Sequence, residues 1–163
     1  MKKILPVWLI VFIFSLVNIA SAADTDDINT NVNEQSEMTG NIEREIWALV
    51  NYERARKNLK PLKFSDQMNK YANIRAEEIS KTFSHTRPNG EKCFTVIHSN
   101  YKMAGENIAA GQRSSKEVVE AWMNSTRHRD NIMNPNFKEL GVGYVYIPNL
   151  KYKYYWVQLF RTK

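Results

Sequence analysis

The chain has one cysteine in 163 residues, Cys93, so no intramolecular disulfide can form and the fold must rest on its core. Cys93 is either buried and inert or paired between chains. Long apolar runs are also scarce. The one present, Ile4 to Val17, is interrupted by Pro6 and Ser15 and is short for a membrane span. Lys2 and Lys3 precede it, and Ala20-Ser21-Ala22 then supplies small residues at the spacing a signal peptidase reads. Residues 1–22 are therefore expected to be a cleaved signal peptide, with a mature N-terminus at Ala23; an uncleaved anchor is the alternative. The absence of a cysteine after the small residues argues against a lipoprotein anchor. The expected location is outside the cytoplasm, secreted or in the cell envelope or periplasm.

Lys and Arg are missing from residues 23–40, which hold Asp24, Asp26, Asp27, Glu34 and Glu37 and few large apolar side chains. That composition predicts a flexible acidic linker. The remainder, residues 41–163, is long enough for one domain. With Lys2 and Lys3 set aside, 21 of the 23 basic residues follow position 40, against 12 of the 17 acids, a balance of +9. The excess suits an anionic cell-envelope polymer, and equally suits a soluble basic exported protein. Nucleic acid is not an expected partner, because it conflicts with export.

Two helical patterns open the domain. Ile42, Ile46, Leu49 and Val50 share a face, with Trp47 at its edge. Arg54, Arg56, Lys57, Lys60 and Lys63 follow and Pro61 closes the segment; such a run is more often a basic helix terminus than a nucleic-acid patch. Ser65 is a good N-cap for a second helix ending near Lys81, with Met68, Tyr71, Ala72, Arg75, Ala76 and Ile79 inward. Glu77 and Glu78 are adjacent, diverge around the helix and are expected on a solvated face. Ser114 or Ser115 caps a third helix with Val118, Val119, Trp122 and Met123 inward, and Ser125 caps a short fourth one ended by Asn134-Pro135-Asn136.

The last third reads as sheet. Leu140 to Ile147 is β-rich, and Tyr152 to Phe160 forms a strand with Tyr154, Trp156, Gln158 and Phe160 on one face and Tyr155, Val157 and Leu159 on the other. Apolar residues on both faces predict a central strand covered on both sides. The expected fold class is α+β, a three-layer α–β–α sandwich with a mainly antiparallel sheet. Gly141 and Gly143 share a face and admit a close backbone or ligand. Gln158 needs a hydrogen-bond partner.

Three short motifs carry the chemistry. His85 follows the second helix, ahead of the turn Pro88-Asn89-Gly90. Glu106 lies in Gly105-Glu106-Asn107-Ile108-Ala109, where apolar neighbours predict burial and burial demands a partner. His128 lies between Arg127 and Arg129, cations expected to lower its pKa and favour the neutral, metal-ligating imidazole. Bland alternatives exist for each: a helix-capping histidine, a carboxylate satisfied by backbone amides, an exposed basic turn. Two imidazoles and a carboxylate form half a shell for a divalent metal such as zinc, or a polar floor for a ligand.

Taken together, the motifs resemble the CAP superfamily of cysteine-rich secretory, antigen 5 and pathogenesis-related 1 proteins, in its bacterial, exported, disulfide-free branch of SCP-like domains. Phe83-Ser84-His85, Gly105 to Ala109, Trp122 to Ile132, Gly141-Val142-Gly143 and Tyr155 to Phe160 occur in the family's order. The resemblance implies an α–β–α sandwich with a surface cleft lined by two His and two Glu. His85, Glu106 and His128 match three of these positions. The fourth falls at Ser125, and Glu120 on the same helix replaces it only if that helix is rotated. The ligand implied is a small molecule, lipid or peptide held by His85, Glu106, Ser125 and His128, with His85, Glu106 and His128 as metal ligands. No shared catalytic activity defines the family, so the chain is expected to be a binding module. An envelope-associated, peptidase-like hydrolase using Ser125, His128 and Glu106 is the alternative, although no Gly-x-Ser-x-Gly elbow is present.

Overall fold

The structure is a computed structural model in which residues 23–163 are described. The expected signal segment, residues 1–22, lies outside the described residues. Helix α1 spans Ala23–Ala55, β1 Lys63–Phe64, α2 Asp66–Lys81, a 3₁₀ helix Cys93–Val96, β2 Met103–Ala110, α3 Ser115–Asn124, α4 Thr126–Met133, β3 Glu139–Tyr146 and β4 Tyr154–Thr162. The four strands form one sheet in the order β1-β3-β4-β2. β1 runs parallel to β3, while β3–β4 and β4–β2 are antiparallel.

β4 is the strand the alternation predicts. Its Trp156 and Phe160 pack with Ile46 and Val50 of α1 and with Val118, Val119, Trp122 and Ile132 of α3 and α4. Its Tyr155, Val157 and Leu159 pack with Met68, Ala72, Ala76 and Ile79 of α2 and with Val96 and Ile97. Helices thus cover both faces of a mainly antiparallel sheet, and the three-layer sandwich follows from one two-sided strand.

α2 lies close against β3. A Cβ on Gly143 would stand 2.1 Å from the Ala72 carbonyl oxygen, and one on Gly141 would stand 2.3 Å from the Met68 carbonyl carbon, so glycine is what admits the helix backbone. β1 pairs only with Glu139 and Leu140 of β3. Beyond it, side chains of α2 take over the edge: Val142 N donates to Asn69 Oδ1 at 2.9 Å and Tyr144 N to Asn73 Oδ1 at 3.0 Å. Both Asn amides then donate to the Glu43 carboxylate of α1 at 2.7 Å. Two asparagines at i, i+4 so act as a substitute strand edge, and no β3 amide there is left for edge pairing. The Ser65 cap forms as the sequence predicts, its side chain accepting from Met68 N.

One segment differs from expectation, and a second takes up an element for which the sequence indicates none. Residues 23–40 read as a linker, yet α1 continues through them as helix. Extending a helix already nucleated by a packed segment adds a hydrogen bond per residue, without a second nucleation cost. Glu34, Ser36, Glu37 and Met38 remain exposed, so this part adds little core. Conversely, the Gly105-Glu106-Asn107 stretch is strand, paired residue for residue with β4 from Met103↔Thr162 to Ala110↔Tyr155. Gly, Glu and Asn disfavour strands in isolation, and eight ladder pairs override that preference.

Candidate functional site

The edge strand β2 positions the site, because its alternate residues reach opposite faces of the sheet. Glu106 turns to the α2 face and Asn107 to the α4 face. The Glu106 side chain is 1% exposed, so its charge needs compensation. Arg75, fully buried on the inner face of α2, supplies it: Nε donates to Oε2 at 2.7 Å and a terminal nitrogen donates to Oε1 at 3.3 Å. The same guanidinium donates to Glu78 Oε2 at 2.5 Å and to the Ser84 carbonyl at 2.8 Å. Arg75 therefore holds the site carboxylate and also the chain just before His85.

His85 Nδ1 lies 2.7 Å from Glu106 Oε1. Against an oxygen already accepting from Arg75, Nδ1 is the donor, which leaves Nε2 as the nitrogen free for a ligand. The His85 side chain is 58% exposed. Its backbone is fixed as well, since Cys93 N donates to the His85 carbonyl at 3.0 Å. A bridge between Thr86 and Lys92 closes the loop around Gly90, whose φ of +84° suits the Pro88-Asn89-Gly90 turn. Arg87 braces the loop from outside by donating to Glu78 and to Thr95 Oγ1. Glu78, expected on a solvated face, is thus the acceptor between two arginines. Their hydrogen bonds and charges hold its carboxyl below the ordinary carboxylate range, outweighing its partial burial.

His128 arrives from the other face. Asn107 Nδ2 donates to its carbonyl at 3.0 Å and to Gln158 Oε1 at 3.0 Å. Asn131 Nδ2 donates to Asn107 Oδ1 at 2.8 Å and to the Glu106 carbonyl at 3.3 Å. These amides dock α4 onto the β2 edge. The partner Gln158 requires is therefore Asn107, through its Oε1. The His128 imidazole has its pKa lowered, first by burial and then by the charge of nearby His85. The direction is the one expected and the cause is not: Arg127 is exposed, and Arg129 donates to the Met123 carbonyl at 2.9 Å.

Ser125 occupies the junction of α3 and α4 and is the N-cap residue of α4, but its side chain makes no capping bond. Among the described residues, its hydroxyl makes no hydrogen bond to His128, so the two do not form a nucleophile–base pair here. Glu120 lies on an exposed stretch of α3, 3.9 Å from Lys116. Cys93 joins the site unforeseen: one ligand atom each from His85, Cys93 and Glu106 lie within 4.8 Å of one another. Burial, then the charge of Glu106, pushes the Cys93 thiol up to about 12. It is a protonated thiol within hydrogen-bonding reach of a carboxylate that Arg75 already engages.

Arg75, Cys93, Asn107 and Asn131 are neighbours of the candidate site that sequence reasoning did not place. One signal was available for Arg75: an arginine inside an apolar helix face requires a buried acid, and Glu106 was the acid predicted to be buried.

A three-layer sandwich with one histidine from each side of an edge strand, and an Arg-locked glutamate on that strand, defines the class of domain. The chain belongs to CAP, the cysteine-rich secretory protein family, whose model matches residues 47–160. It is 40% identical over 128 residues to YkwD of Bacillus subtilis strain 168, covering 76% of this chain and 49% of that protein. In fold it is similar to an extracellular SCP-domain protein of Bacillus anthracis, with TM-score 0.70 and 26% identity over 80% of this chain and 43% of the other. An outer surface protein of Borrelia burgdorferi shares the fold at TM-score 0.64 and 21% identity, over 72% and 89% of the two chains. The chain spans about half the length of YkwD.

Proposed function

We propose that the protein is an exported binding module that takes its ligand at the β2 edge between His85 and His128, with a divalent metal such as zinc held by the two imidazoles. The observation carrying this reading is the Arg75–Glu106–His85 chain, with contacts of 2.7 Å at both links. A carboxylate behind a histidine fixes its tautomer and aims the remaining nitrogen outward, the support usual for metal-ligating imidazoles. Glu106 then positions His85 rather than ligating. His128, its pKa lowered by burial, is in the neutral form a metal requires. The ligand class is a small molecule, a lipid or a peptide. Export is supported by the extracellular and outer-surface neighbours. Among the described residues no helix is long and apolar enough to cross a membrane.

The test is calorimetric titration of the purified protein with zinc. His85→Ala and His128→Ala should each abolish binding while leaving the unfolding transition in place, since both side chains lie outside the apolar core. Glu106→Gln should weaken binding on the order of tenfold, as loss of a supporting partner does. A wild-type protein that takes no zinc ends the metal reading. Peptidase activity lost on Ser125→Ala would instead support the hydrolase.

A further inference from the structure

A second concavity, of about 470 Å³, opens where the end of β2 meets the β3–β4 hairpin. It lies apart from the histidines. Gly111, on its wall, is five residues beyond Glu106, about 16 Å at the rise of a strand. Three cations line it, Arg113, Lys151 and Lys153, together with three tyrosines, Tyr146, Tyr152 and Tyr154. No carboxylate lines it, and among the described residues none of the three cations forms an ion pair.

The tyrosines continue a ladder that begins in the core. Tyr144 and Trp156 face one another across β3 and β4 with ring centroids 4.6 Å apart, and Tyr146 and Tyr154 follow at 4.9 Å. The inner pair is packed against α1 and α3, whereas the outer end emerges beyond them. Tyr146 is 42% exposed and Tyr152 46% exposed. Large aromatic surface left in water beside unpaired cations is not explained by packing. The Lys151 ammonium lies 5.2 Å from the centroid of the Tyr152 ring, so charge and ring are presented together. Lys153 holds a left-handed φ of 60°, and the backbone anchors the wall, with Gly111 N donating to the Tyr154 carbonyl at 2.9 Å.

We propose that this concavity is a binding site for an anionic glycan. Sugar rings lie with their C–H faces on the tyrosines, and carboxylate or phosphate substituents pair with Arg113, Lys151 and Lys153. The cations supply charge attraction and the rings supply the preference for a sugar over a bare polyanion. The Tyr146 and Tyr154 rings, 4.9 Å apart and tilted by 46° to one another, do not offer parallel successive platforms. That favours puckered sugar rings over nucleobases, which take successive platforms along a groove. The +9 balance of residues 41–163 brings such a polymer to the surface, and this site gives it a place to dock.

The experiment titrates the purified protein with four probes at matched charge concentration and low salt: polygalacturonate, neutral dextran, polyphosphate and a single-stranded oligonucleotide. Polygalacturonate should bind about tenfold more tightly than polyphosphate, the scale of an aromatic stacking contribution, and dextran should not bind. The double variant Tyr146→Ala, Tyr152→Ala should bring polygalacturonate down to the polyphosphate level. Arg113→Gln with Lys151→Gln should weaken both polyanions and flatten their salt dependence. Circular dichroism reports whether each variant is folded, and Tyr152→Ala alone, at an exposed position, provides a milder test of the ring. His85→Ala should leave glycan binding unchanged, which separates this site from the one at the β2 edge. Equal binding of polyphosphate or the oligonucleotide, or tyrosine variants that bind as the wild type does, would overturn the proposal.

Discussion

On one face the sheet meets a helix backbone; on the other it meets aromatic rings. α2 sits on Gly141 and Gly143, is tied to β3 by Asn69 and Asn73, and pairs its buried Arg75 with Glu106 of β2. The opposite face is filled by Trp122, Trp156, Phe137 and Phe160, with Phe137 and Phe160 stacked at 5.3 Å. Directional bonds and backbone contact fix the first face in one geometry, while the second relies on apolar packing together with the Asn107 and Asn131 amides that dock α4. The candidate site takes one imidazole from each. His85 is clamped through side chain and backbone, whereas among the described residues the cross-element bond to His128 is made to its carbonyl.

The sharpest way to break the comparison is to remove the charge partner on the rigid face. Arg75→Met keeps the volume but leaves Glu106 buried without its guanidinium. The expected cost is about 3–5 kcal/mol, the usual penalty for orphaning a buried charge. Urea unfolding measures it. A cost below 1 kcal/mol, on the order of a surface pair, would mean that Arg75 contributes no more than an exposed ion pair.

The same substitution on each face gives a second contrast. Gly143→Ala drives a Cβ into the Ala72 carbonyl, which is backbone and cannot swing aside. Gly105→Ala meets the tip of the Phe137 ring at 2.8 Å and Asn131 Oδ1 at 3.1 Å. Overpacking costs roughly 1–3 kcal/mol. Gly143→Ala is expected at or above the top of that range and Gly105→Ala near the bottom. Equal losses in denaturant midpoint would refute the claim that the two faces differ in compliance.

The rigid face also shields its thiol. Cys93, buried and pushed up to about 12, should resist an aromatic disulfide reagent at pH 8 in the native state and react fully after unfolding in guanidinium. Rapid native labelling would show that the loop bearing His85 opens far more readily than its hydrogen bonds indicate.

Much of this arrangement is legible in the residue order. The alternation of Tyr154 to Phe160 defines both faces, Ser65 marks the start of α2, and Gly141 and Gly143 announce a close approach, which proves to be the α2 backbone. What is not legible is non-local. Gly105 to Asn107 is strand only because β4 pairs with it, and Glu78 is bound only because Arg87 folds back nine residues later. Likewise, His128 is kept neutral by burial and by a histidine from another element, not by the arginines beside it in sequence. Neighbours in sequence diverge around a helix, so electrostatic causes read from adjacent residues are the least dependable part of such reading.

The smallest expected effect lies at Glu43, where α1 joins the rigid face. Its carboxyl is pushed above the ordinary range, first by burial and also by Asp66, although Asn73, Asn69 and Arg44 act in the opposite direction. The folded pKa thus exceeds the unfolded one, so the native state binds more protons through the interval between them. The stability Glu43 contributes is therefore complete below the unfolded value of about 4.5 and declines as pH rises through the folded value. Glu43→Gln removes this titration. It also replaces one acceptor oxygen with an amide that cannot accept from Asn69 or Asn73, which lowers stability at every pH. The difference in unfolding free energy, wild type minus Glu43→Gln, should start positive near pH 4. It should then shrink as pH rises, with a slope no steeper than about 1.4 kcal/mol per pH unit, and level off above the folded pKa. A difference that instead grows with pH would show that the two asparagine amides stabilise the carboxylate more than burial penalises it, and that this corner of the α2 face is held by charge rather than strained by it.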